Sequence, residues 1–121
     1  MFAYKPLFLL ASTAALFSGS VNAFTGRATW DSLGTTPCTP PSGVQCPLTD
    51  FRVALPADKF PTNDRCCATV HVSYQGHNID VTFTDLFLAG AGSNNISLSH
   101  QAFALLAPLE EGQIFDVVWN L

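Results

Sequence analysis

Ala68-Thr69-Val70-His71-Val72-Ser73-Tyr74 and Ile79-Asp80-Val81-Thr82-Phe83-Thr84, joined by Gln75-Gly76-His77-Asn78, decide the fold of this chain. In the first run Ala68, Val70, Val72 and Tyr74 alternate with polar residues, and in the second Ile79, Val81 and Phe83 do so. An apolar residue at every second position is the pattern of a strand with one buried face. Two such runs around a polar turn that contains glycine predict a β-hairpin.

Working outward, the flanks extend the same theme. Gly26–Trp30 reads as a first strand and Phe51–Leu55 as a second, with one helical turn expected over Pro56–Phe60 and a polar turn over Thr62–Arg65. Ser32–Pro47 is rich in Pro, Gly, Ser and Thr and holds two cysteines, which predicts a stapled loop. Ala89–Asn95 is a Gly/Ser/Asn loop. Ser99 is an N-cap candidate for a short helix that carries Phe103 and Leu106 on one face and is limited by Pro108. Glu110-Glu111-Gly112 turns the chain into a last strand, Ile114–Trp119, with Phe115, Val117 and Trp119 expected on one face. The sum is a mainly β domain with one or two short helices, closed as a barrel or stacked as a sandwich.

The N-terminus is of another kind. Lys5 precedes an uncharged apolar run, Leu7–Phe17, and Val21-Asn22-Ala23 offers small residues for cleavage. That order predicts a signal peptide over residues 1–23 and a secreted domain over residues 24–121. The run is shorter than the ~20 apolar residues of a membrane span, so no membrane partner is expected. The chain has 5 Lys+Arg against 9 Asp+Glu, and loss of Lys5 leaves the remainder one charge more negative. An acidic domain without a basic cluster is poorly suited to nucleic acid. All four cysteines, Cys38, Cys46, Cys66 and Cys67, lie beyond the leader, and in an oxidising compartment they read as two disulfides. A bond between the neighbours Cys66 and Cys67 strains the backbone, so Cys38 and Cys46 are each expected to reach one of that pair. His71, His77 and His100 have no metal-ligand spacing, and neither metal nor cofactor is expected.

Five stretches stand in a characteristic order: Gly26-Arg27-Ala28-Thr29-Trp30; Val53-Ala54-Leu55 with Phe60 ahead of Cys66; Val81-Thr82-Phe83-Thr84-Asp85-Leu86-Phe87; Ile96-Ser97-Leu98-Ser99 with Ala102-Phe103 and Leu106-Ala107; and Gly112…Ile114…Val118-Trp119. In that order they resemble the six-stranded double-psi β-barrel of secreted fungal proteins of the rare-lipoprotein-A-like and loosenin group, relatives of expansins and barwin. Cerato-platanins are similar in barrel and more distant in pattern. The resemblance implies a shallow groove lined by Thr29, Trp30, Asp31, Asp85 and Phe87, with the aromatics as platforms for sugar rings.

Two departures bear on chemistry. The cysteines that most fungal relatives carry after the strand-end acid are replaced by Leu86-Phe87-Leu88-Ala89. The second carboxylate of expansin-type barrels is replaced by Ser97. Glycoside hydrolysis generally needs two carboxyl groups, and Asp80, five residues before Asp85, points by strand alternation to the opposite face. The expectation is therefore a secreted, monomeric, non-catalytic protein that binds cell-wall polysaccharide, or in the alternative an extracellular protein, as a protease inhibitor or effector does. Asn95-Ile96-Ser97 is an N-glycosylation sequon at the position of the missing acid.

Overall fold

The computed structural model describes residues 23–121, so the leader expected over residues 1–23 lies, but for Ala23, outside the described residues. Six strands follow one another: β1 (Phe24–Trp30), β2 (Arg52–Pro56), β3 (Thr69–Tyr74), β4 (His77–Phe87), β5 (Ile96–Leu98) and β6 (Gln113–Asn120). One short helix, α1 (His100–Ala104), and two single 3₁₀ turns, Leu88–Gly90 and Leu109–Glu111, complete the set. The strands close into a barrel in the order β1-β5-β2-β4-β3-β6. β1 with β5 and β2 with β4 run parallel, and every other neighbouring pair is antiparallel. This is a six-stranded double-psi β-barrel.

The hairpin forms as its alternation predicts. Val70 faces Val81 and Val72 faces Ile79, and Val70, Val72, Val81 and Phe83 are buried. The polar positions look outward, where His71 Nδ1 meets Asp80 Oδ1 at 2.7 Å across the strands. Gln75 and Gly76 both take positive φ, 47° and 83°, as a two-residue turn with the strands' own twist requires. The turn is tighter than four residues, because His77 and Asn78 already pair with Tyr74 and Ser73.

Two strands carry an extra residue that resets the alternation. In β6 the register to β1 passes from Gly26↔Val117 to Ala28↔Ile114, and Asp116 sits at φ 59°. This bulge turns Phe115 outward, 57% exposed, while Ile114, Val117 and Trp119 fill the core. The expectation that Phe115 shares the buried face is corrected by that added residue. In β4 the register to β2 passes from Val53↔Phe83 to Ala54↔Asp85, so Thr84 is the extra residue there. The helical turn expected over Pro56–Phe60 is also corrected. Pro56 completes β2, and the chain reverses in a β-turn closed by the Lys59 N–H on Pro56 C=O at 3.1 Å.

At one end of the barrel the Ser99 hydroxyl accepts the Ala102 N–H and caps α1. The same hydroxyl donates to Asp50 C=O at 2.6 Å and accepts the Arg52 N–H at 3.2 Å. Helix start and β2 start are thereby fixed to one atom, and Phe103 is delivered fully buried into the core. Helix α1 ends at Ala104 with Leu105 as its C-cap, so Leu106, expected on its apolar face, lies just beyond it.

The four cysteines form Cys38–Cys66 and Cys46–Cys67. The bridges close segments of 28 and 21 residues, and each stabilises by about 3 kcal/mol through the unfolded state. Denaturing, non-reducing thiol labelling should therefore find no reactive cysteine, and a Cys46→Ser/Cys67→Ser pair should lose about 2–4 kcal/mol in urea unfolding. Gly26 is required by a close approach: a Cβ there would lie 2.3 Å from Asn94 O, the carbonyl that also accepts the Trp119 indole N–H at 2.8 Å. Gly26→Ala should lower stability by about 1–3 kcal/mol in the same measurement.

Candidate functional site

The strand-end acid lies beneath the chain's own loop. Asp85 is 4% exposed. Its Oδ1 accepts the Thr84 hydroxyl at 2.6 Å and its Oδ2 accepts the Gly34 N–H at 2.8 Å. The loop runs along the end of β4: Cys38 N–H donates to Thr84 C=O and Leu86 N–H to Thr36 C=O, both at 2.8 Å, with Pro37 bridged to Asp85. Ser97, fully buried in β5, accepts the Ser32 N–H at 3.1 Å. The two positions that the resemblance gave to the groove thus hold Ser32 and Gly34 in place. Positive φ at Asp31 (65°) and Gly34 (91°) bends the chain to reach them. With both oxygens engaged and the side chain buried, Asp85 has the chemistry of a loop clamp.

The remaining expected residues divide into two groups. Trp30 is half-buried; its indole N–H donates to Leu109 C=O at 3.1 Å, and its ring meets His100 edge-on at 6.4 Å and Phe103 at 6.5 Å. Asp31 is exposed, and its Oδ1 lies 3.1 Å from His100 Nδ1. Thr29 is half-buried and pairs with Ser97 and Gln113 in the barrel wall. His100 joins Trp30 and Asp31 into one cluster, a role the sequence signalled only through its place after the N-cap Ser99. Phe87 belongs to the second group. Its ring packs on Gly90, where a Cβ would lie 2.6 Å from Phe87 Cδ2. With Ser32, Thr35, Thr36, Leu86, Leu88 and Ala89 it lines a cavity of about 220 Å³.

The sequon sits where the chain leaves the Gly/Ser/Asn loop for β5. Asn95 Oδ1 accepts the Arg27 N–H at 2.9 Å, and Ile96 and Ser97 are buried. Among the described residues no three His, Cys, Asp or Glu side chains come together to hold a metal ion, and no helix is long and apolar enough to cross a membrane.

The clamp is testable. Asp85→Ala leaves the Gly34 N–H without its acceptor, so stability should fall by about 1–3 kcal/mol. Hydrogen exchange at Ser32 to Cys38 should speed up markedly, while the β3–β4 amides stay protected. Asp85→Asn keeps an oxygen for Gly34 and should be milder. Unchanged exchange in Asp85→Ala would show that the carboxylate does not hold the loop.

No protein-family model matches the chain. It is 38% identical over 74 residues to the papain inhibitor of Streptomyces mobaraensis, a match covering 56% of this chain and 51% of that protein. The chain therefore spans about half the length of the curated relative it matches. The solved Streptomyces papain inhibitor superposes with a TM-score of 0.59 at 31% identity, covering 82% of this chain and 93% of that one. An expansin of Clavibacter michiganensis shares the fold: a mutant in complex with cellohexaose gives a TM-score of 0.63 at 20% identity, and the apo form 0.65 at 21%. Each expansin match covers 83% of this chain and 50% of the other. The chain belongs to the family of double-psi β-barrel proteins represented by the Streptomyces papain inhibitor.

Proposed function

We propose that the chain is a secreted, monomeric, non-catalytic barrel that binds a protein and inhibits a protease of the papain class. The observation that carries this reading is the loop hydrogen-bonded over Asp85 and Ser97. A saccharide groove needs exposed polar groups on its floor, and here those groups serve the protein's own backbone. The 31% identity that extends over 93% of the solved Streptomyces papain inhibitor supports the same direction. Two disulfides suit an oxidising, extracellular compartment, as does the leader read from residues 1–23. Asp85 then contributes to binding indirectly, by fixing the loop's shape before the partner arrives.

A second reading keeps the polysaccharide partner, with Trp30 and Phe87 as ring platforms and Thr29 and Asp31 as hydrogen-bonding neighbours. It is favoured by the half-buried Trp30 ring beside His100 and the exposed Asp31, and by a fold shared with an expansin solved with cellohexaose. In this reading a glycan on Asn95 would stand at the mouth of the groove.

One assay separates the two. Purified, oxidised protein is titrated into papain with a chromogenic substrate, and in parallel is mixed with insoluble cellulose, chitin and xylan. The inhibitor reading predicts a Ki of about micromolar or tighter and no depletion by the polysaccharides. Depletion by one polysaccharide with papain unaffected would replace it by the second reading. Release of reducing sugar above a heat-killed control would contradict both.

A further inference from the structure

We infer that Val44–Leu48 is the segment that enters the protease cleft; this deepens the inhibitor reading and rests on it. The segment lies in the loop between β1 and β2 and belongs to no helix or strand. It is nevertheless fixed. A turn closed by Gly43 N–H on Pro40 C=O at 2.9 Å precedes it, and the Thr49 hydroxyl, 3.1 Å from the Phe51 N–H, closes a second turn after it. In its middle Cys46 is 7% exposed and is bonded to Cys67.

Around that buried anchor the side chains stand out. Val44 is 69% exposed and Leu48 is 83% exposed, the two most exposed large apolar residues of the described chain. Gln45 and Pro47 are exposed as well. Among the described residues, the main-chain N–H groups of Gln45, Cys46 and Leu48 and the C=O groups of Gln45, Cys46, Pro47 and Leu48 make no backbone hydrogen bond; Pro47 itself has no N–H to donate.

These features together define a partner. A main chain without partners of its own offers hydrogen bonds to another chain, and the exposed side chains of Val44 and Leu48 are left to fill apolar pockets. A protease cleft that binds peptides supplies main-chain hydrogen-bonding groups and apolar pockets together. The disulfide at Cys46 removes much of the ordering cost that a free peptide would meet, which is the advantage of a preorganised inhibitor over a substrate. No ion pair is needed, in keeping with a segment that carries no charged residue between Val44 and Leu48.

The test uses the full oxidised chain and papain as the probe protease. Val44→Asp and Leu48→Asp place a charge on residues that touch little of the barrel, so both variants should fold with wild-type circular dichroism and intact disulfides. Phe115→Asp is the control: Phe115 is 57% exposed on β6, which pairs with β1 and β3 and not with this loop. Each loop variant should raise Ki at least about ten-fold, the effect of losing an apolar anchor, and the control should leave it within about two-fold. Inhibition undiminished in both loop variants overturns this inference and leaves the inhibitor reading standing. Absence of inhibition by the wild-type chain overturns both. A wild-type dimer that both loop variants dissolve, with inhibition unchanged, assigns the segment to a second copy and overturns the inference too.

Discussion

The long loop between β1 and β2 depends on the neighbouring cysteines Cys66 and Cys67. They stand at one point on the barrel wall, where Cys67 N–H donates to Phe83 C=O at 2.7 Å, and each reaches a different part of the long loop between β1 and β2. That loop has no secondary structure of its own and buries little. Its ordering entropy, about 1–2 kcal/mol per residue of backbone, is not offset by a core. The two bridges, the hydrogen bonds of Cys38 and Thr36 to the end of β4, and the clamps of Asp85 and Ser97 on Gly34 and Ser32 do that together. The barrel is the rigid body, and the stapled loop is what it presents.

A shared barrel says little about what is bound. The same six-stranded architecture occurs in a protein named for inhibiting papain and in an expansin solved with cellohexaose. Function on such a scaffold lies in what is mounted on it. In this chain the mounting has two faces of different character: a half-buried aromatic cluster of Trp30 and His100, and a stapled apolar segment from Val44 to Leu48. The first is tied inward by the Trp30 indole N–H on Leu109. The second has no inward partner beyond its cysteine.

Much of the fold was legible in the sequence because its signals are local. The alternation of Val70, Val72, Val81 and Phe83 marks the hairpin, Ser99 marks the helix start, and the adjacency of Cys66 and Cys67 disfavours a bond between them. What was not legible depends on one-residue insertions or on distant partners. Asp116 and Thr84 each add a residue that resets a period of two, which moved Phe115 to the surface and turned the strand end at Asp85 under the loop. The resemblance makes Asp85 a groove acid because the strand motif that carries it is local. Its partner, the Gly34 N–H, is 51 residues away, and a backbone donor has no signature in sequence.

The most direct test of the account is calorimetric titration of the oxidised chain into papain whose cleft is filled by a covalently attached peptide-like blocker, beside unblocked papain. Heat of binding is expected with the open enzyme and none with the blocked one, since the stapled segment and the blocker would need the same space. Equal binding to both forms would place the contact elsewhere and contradict it.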